Sequence, residues 1–139
     1  MNDKPMHWQL DETADAGLHR VGRSQVEALC EAGRAAGLYC ARLDLTDCRG
    51  KADLLASLAR VLEFPSWFGH NWDALADCLD DLEWLRGAGY LLVLDNPAGM
   101  SAAAPKDFAV ALDILADAAR KWRERGTPFW VFLVEPGGE

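Results

Sequence analysis

The sequence predicts an α/β fold: a small parallel β-sheet of about three strands packed by helices, with an N-terminal helical extension. Three observations carry this. From Leu38 onward the apolar positions change period in the order strand, two helices, strand, helix, strand, which parallel strands with helical crossovers satisfy most economically. Tyr90–Leu94 is a continuous apolar run, as a strand covered on both faces requires. Finally, 139 residues with half of them hydrophobic are enough for one substantial core and too few for two.

Residues 1–23 are weakly periodic, with a short strand expected near His7–Leu10 or Leu18–Val21. Ser24 is expected to open a capping box with Glu27. Val26, Leu29, Cys30 and Gly33 then continue at helical spacing, so a helix is expected near 24–36, closed by Gly37. At Leu38 the period becomes two: Tyr39, Ala41, Leu43 and Leu45 alternate with Cys40, Arg42 and Asp44, a strand with one buried face. Leu54, Leu55, Leu58, Val61 and Leu62 mark a helix from Lys51 to Leu62, ended by the approach to Pro65. A second helix follows from Asn71 and is stopped by Arg86–Gly89. After Tyr90–Leu94, Pro105 stands in the first turn of a long helix carrying Phe108, Leu112, Leu115, Ala119 and Trp122 and closed by Gly126. Phe129–Val134 is the last strand.

The net charge is −8 and the pI about 4.8. An anionic membrane or nucleic acid is therefore disfavoured as a direct partner, and a basic protein is the natural complement. Asp3, Asp11, Glu12 and Asp15 interrupt any apolar leader segment, and no apolar run is long enough for a bilayer. A soluble cytoplasmic protein is expected. Cys30, Cys40, Cys48 and Cys78 lack paired metal-ligand spacing, so reduced, packed thiols are expected.

The stretch Phe64 to Leu85, FPSWFGHNWDALADCLDDLEWL, concentrates the chemistry. Pro65 disfavours helix at Phe64, Gly69 is expected to relax the backbone after Trp67 and Phe68, and Asn71 is a natural N-cap. At about 100° per residue, Trp72, Leu75, Leu79 and Leu82 fall on one stripe. Asp73, Asp77 and Asp80 cluster opposite it, with Asp81 at their edge. A solvated face is the ordinary meaning of such a charge run. Here, however, no Lys or Arg occurs from Gly69 to Leu85, so the carboxylates repel one another and store negative potential suited to a positive partner.

These residues resemble the signature of the barstar family of intracellular ribonuclease inhibitors: proline, two aromatics, Gly-x-Asn, Asp-Ala-Leu, and a second Asp four residues on. The resemblance covers roughly residues 38–135, which it implies to be the main domain, and leaves residues 1–37 as an N-terminal extension. It implies a small parallel sheet packed by helices, no catalytic residue, no cofactor and no metal. The implied activity is stoichiometric inhibition, with immunity protein or antitoxin as the implied role, in which carboxylates on a rigid helix occupy the phosphate positions of a basic ribonuclease active site. The implied partner-binding residues are Trp67, Gly69, Asn71, Trp72, Asp73, Ala76 and Asp77, with Asp77 dominant. The sequence departs from the family pattern where Trp67 replaces a usual tyrosine, Trp72 a usual leucine, and Ala76 a tryptophan. Arg120 and Lys121 also stand where an acid can add to the interface.

Two alternatives remain open at this stage. The same face could bind a non-nuclease basic partner, or His70, Asp73 and Asp77 could ligate a divalent ion or supply a His–Asp acid–base pair. The second is weak because no other ligand cluster is visible. Trp84, Trp122 and Trp130 are assigned to packing. The bases Arg120, Lys121, Arg123 and Arg125 are assigned to the C-terminal dipole of their own helix.

Overall fold

A computed structural model describes residues 8–135. Its sheet has four parallel strands, β1 (Leu18–Gly22), β2 (Tyr39–Asp44), β3 (Tyr90–Asp95) and β4 (Phe129–Glu135), in the spatial order β1-β4-β3-β2. The fold class is as expected, with one more strand than the three counted from residue 38. The additional strand is β1, which pairs with β4 from Leu18 opposite Val131 to Gly22 opposite Glu135. Of the two positions considered for an early strand, Leu18–Val21 is the one that forms. His7 lies outside the described residues, and residues 8–10 are not in a strand.

Each period read from the sequence reappears as burial. The two central strands are buried along almost their whole length, whereas edge strand β2 buries Ala41 and Leu43 and exposes Arg42 and Asp44. One face of the sheet carries α2 (Lys51–Val61), α3 (Trp72–Asp81) and α5 (Pro105–Glu124), packed over Leu43, Leu92, Leu94, Val131 and Leu133. The other face carries α1 (Val26–Ala35), whose Val26, Leu29 and Cys30 pack with Leu91, Val93, Trp130, Phe132 and the earlier Leu10 and Ala16.

Several local expectations need correction. The Ser24–Glu27 capping box does not form. A short 3₁₀ turn over Arg23–Gln25 precedes α1, and the Gln25 side chain accepts from the Gly22 amide at 3.1 Å. A six-residue helix, α4 (Ala98–Ala103), precedes the Pro105 start of α5. Its Ala-rich run carries no amphipathic stripe of its own, burying only Met100, so periodicity could not find it. The four cysteines are free thiols; Cys30, Cys48 and Cys78 are buried and Cys40 half-buried. Among the described residues no helix is long and apolar enough to cross a membrane.

The Gly-rich turn before β3 is a site of close backbone approach. A Cβ at Gly89 would lie 2.6 Å from the Pro128 carbonyl oxygen, and one at Gly87 would lie 2.7 Å from the Tyr39 nitrogen. Only glycine lets this turn pass between the start of β2 and the residue preceding β4.

Candidate functional site

The loop that leads to the acidic helix leaves α2 at the end of the sheet where the strands begin. The C-terminal end of α2 is anchored there by Tyr39, the first residue of β2, whose hydroxyl oxygen is 2.9 Å from both the Val61 carbonyl and Glu63 Oε2. Glu63 adopts a left-handed conformation (φ 54°) beyond the end of α2, and the Phe64 amide reaches back to the Ala59 carbonyl at 2.9 Å. This is a helix-ending turn that glycine usually fills, here made by a residue held in place by Tyr39.

Burial and the hydrogen bond to Glu63 push the Tyr39 hydroxyl up from 10 to about 12. A raised folded pKa means that Tyr39 stabilises the fold fully below about pH 10 and loses that contribution as pH rises towards 12. The alkaline loss of stability over this window is therefore expected to be smaller in Tyr39→Phe, measured by denaturant midpoint against pH. Tyr90, raised in the same direction by burial, keeps the loss from vanishing.

The loop then divides its two adjacent rings. Phe68 is buried and packs on Phe64 and His70, with centroids 4.9 and 4.7 Å away. Trp67 is 65% exposed, the more exposed of the two large hydrophobic side chains left in solvent among the described residues. A turn from Pro65 to Phe68, closed by a 3.0 Å hydrogen bond, presents it. The expectation for Gly69 needs correction: the left-handed residue is His70 (φ 54°). What a side chain at Gly69 would meet is the Asn71 amide, 3.2 Å from a Cβ, so its small size keeps clear the approach to the helix cap. His70 turns Nδ1 towards the Phe68 carbonyl at 3.2 Å. Among the described residues no group of three His, Cys, Asp or Glu is arranged to hold a metal.

Asn71 is the N-cap, accepting from the Ala74 amide at 2.7 Å. Leu75, Cys78 and Leu79 are buried, Trp72 and Ala76 are half-buried, and Asp73 and Asp77 point to solvent. The exposed face of Trp72 is met by a cation: Lys51 Nζ lies 5.1 Å from its ring centroid. Trp67, Gly69, Asn71, Asp73 and Asp77 are thus all exposed along one loop and the first two turns of one helix.

The uniformly uncompensated acidic face is the expectation that fails. Asp80 is half-buried and paired with Lys121 of α5 at 3.3 Å. That hydrogen bond and the charge of Asp80 raise the Lys121 pKa. The end of α5 also caps α3: Trp122 Nε1 donates to the Leu79 carbonyl at 2.7 Å, and Arg125 donates to the Asp80 carbonyl at 2.8 Å. Arg125 meanwhile stacks on Trp122, 4.1 Å above the ring. The bases assigned to their own helix dipole therefore also serve the negative end of α3. Arg120 stays on its own helix, bound to Asp117 and Glu124. The local sequence of α3 could not show this, because the compensating charges lie some forty residues downstream and arrive only through helix packing.

Negative potential is consequently concentrated at the N-terminal half of α3. Among the described residues Asp73 and Asp77 have no ion-pair partner. Asp73 is favoured by the helix N-terminus. Asp77 is not, and it has Asp73, Asp80 and Asp81 at helical neighbour positions.

Trp84 and Trp130 complete the aromatic assignment. Trp84 Nε1 donates to the Leu62 carbonyl at 3.0 Å, and the fully buried Trp130 donates to the Leu10 carbonyl at 2.9 Å.

The sequence model of one protein family, barstar (barnase inhibitor), matches residues 38–134, which contain this loop and helix. No curated protein matches the chain.

Proposed function

The chain belongs to the barstar family, and on that premise we propose that it is a stoichiometric inhibitor that plugs the basic active site of a ribonuclease with Trp67, Gly69, Asn71, Trp72, Asp73, Ala76 and Asp77. The family role is inhibition of ribonucleases rather than catalysis. The target, the residues used and a part as immunity protein or antitoxin within the cytoplasm belong to the proposal.

The observation that carries it is the asymmetry of α3. Its C-terminal half is neutralised by α5, while Asp73 and Asp77 stand exposed and unpaired beside an exposed tryptophan. A solvated surface helix has no use for that combination. A ribonuclease must hold a phosphodiester with cationic groups, and two carboxylates on a rigid helix can take the same positions through charge-assisted hydrogen bonds. Residues 1–37 are proposed to be an extension outside this inhibitory unit, since the family match begins at Leu38.

The test is capture of a ribonuclease from the native host on the immobilised protein, followed by titration of its activity. A linear fall to zero at one equivalent is expected. Full ribonuclease activity in the presence of excess protein would overturn the reading.

The same asymmetry predicts fast, steered association. The rate constant for nuclease binding should fall by about tenfold or more between low and high ionic strength. A rate indifferent to salt in stopped-flow measurements would instead assign the encounter to Trp67 and its apolar contacts.

A further inference from the structure

The bases of α5 leave the N-terminal half of α3 acidic, yet one cation reaches that half from another helix. Lys51 is the first residue of α2 and Trp72 the first of α3. The two helices begin side by side, with the Lys51 ammonium 5.1 Å from the centre of the Trp72 ring. Asp73 and Asp77, both exposed, lie on the same two turns of α3 as that ring.

The placement does nothing for α2 itself. Gly50 is the N-cap, and a cation in the first turn faces the positive end of its own helix dipole. Arg125, by contrast, meets the negative end of α3 at the Asp80 carbonyl. Lys51 has no carboxylate partner among the described residues, although the chain carries a net charge of −8. The acid nearest to it in sequence, Asp53, is occupied by the Arg49 amide at 3.0 Å. The Trp72 ring is what holds the ammonium, and its three N–H donors meet no hydrogen-bond acceptor among the described residues.

A partner that covers Trp72 therefore covers Lys51 as well. The backbone of Lys51 is fixed in the first turn of α2, so the ammonium stays within reach of whatever lies on the ring. Burying a cation without a counter-charge is costly, and a cleft bearing only cations for Asp73 and Asp77 would add repulsion to that cost. Lys51 is tolerated in the interface where the partner brings opposite charge, and a carboxylate is the group with which a desolvated ammonium pairs.

Resting on the inhibitor reading above, we propose that the ribonuclease surface meeting this face is of mixed charge: beside cationic groups for Asp73 and Asp77 it presents a carboxylate that pairs with Lys51 over the Trp72 ring. Lys51 is then a specificity residue. It favours nucleases that carry this acid and rejects those whose cleft is bordered by bases alone.

The ribonuclease captured from the native host is the probe, with its association and dissociation rate constants measured for the wild type, Lys51→Met, Lys51→Glu and Lys51→Arg. Removing a positive charge makes the chain more negative, so long-range steering alone would speed association and tighten binding. The pair predicts the reverse for affinity. Lys51→Met should bind more weakly by about tenfold or more, and Lys51→Glu more weakly still, with the loss in the dissociation rate and association unchanged or faster. Lys51→Arg, which keeps the charge and can still stack on Trp72, should stay close to the wild type. Melting temperatures establish that each variant folds. Unchanged or tighter binding by Lys51→Met and Lys51→Glu overturns the partner carboxylate while leaving inhibition by the wild type intact. Failure of the wild-type protein to inhibit any captured ribonuclease removes the inhibitor reading and this inference with it.

Discussion

Replacing Asp77 with alanine is expected to weaken nuclease binding by about 3 kcal/mol or more, because the partner's cationic groups would be left buried without their counter-charge. The free protein should be equally stable or slightly more so. Asp77 makes no ion pair among the described residues, and its removal relieves like-charge neighbours at Asp73, Asp80 and Asp81. A site that loses binding without losing stability is one shaped for recognition. Asp80 should behave differently. It is half-buried and tied to Lys121, so Asp80→Ala should cost about 1 kcal/mol or less in binding and a similarly small amount in stability. Asp81→Ala should act chiefly through association rate, again by about 1 kcal/mol or less. An alanine series at 73, 77, 80 and 81, with affinity by titration and stability by denaturant midpoint, separates these cases. Equal binding losses at all four positions would sink this account of the interface, as would a stability loss at Asp77 matching its binding loss.

The second large effect concerns folding. Trp130→Ala should destabilise the protein by about 3–5 kcal/mol, since the side chain is fully buried at the centre of the second core. Trp8, His19 and Phe132 surround it, with ring centroids 5.3 to 6.0 Å from one another or from Trp130 in three of these contacts. Trp130→Phe keeps most of the apolar volume but strands the Leu10 carbonyl, which should cost about 1–3 kcal/mol. Denaturant midpoints for the two variants check both figures. A loss at Trp130→Ala below about 1 kcal/mol would mean that α1 and the segment before it contribute little to the second core.

The architecture was largely legible from hydrophobic period, and the reason is visible in Tyr90–Asp95 and Phe129–Glu135. Their unbroken apolar runs reflect burial on both faces, the property that makes a central parallel strand. The loop and cap of the site were legible for local reasons as well: Pro65 and Asn71 act on amides only a few residues away. Long-range pairing was not legible. Nothing in Leu18–Gly22 announces that its partner is the last strand, and nothing in Asp80 announces Lys121 or Arg125. Left-handed conformations at Glu63, His70, Leu82 and Asn96 also escaped, because each is imposed by surrounding contacts and none sits on a glycine. Leu82 illustrates the effect: α3 ends there, four residues before the glycine-rich turn expected to stop it.

The pairing of β1 with β4 sets a schedule for synthesis. Ribosomes release β1 first and β4 last, yet Leu18 finds its partner only in Val131 and its neighbours, and β4 must slide between β1 and β3. Until β4 emerges, β1 has no partner strand and the hydrogen-bonding edge of β3 that will receive β4 stays open. The nascent chain therefore carries exposed sheet edges until β4 emerges, and closure of the sheet becomes a late event governed by contacts distant in sequence.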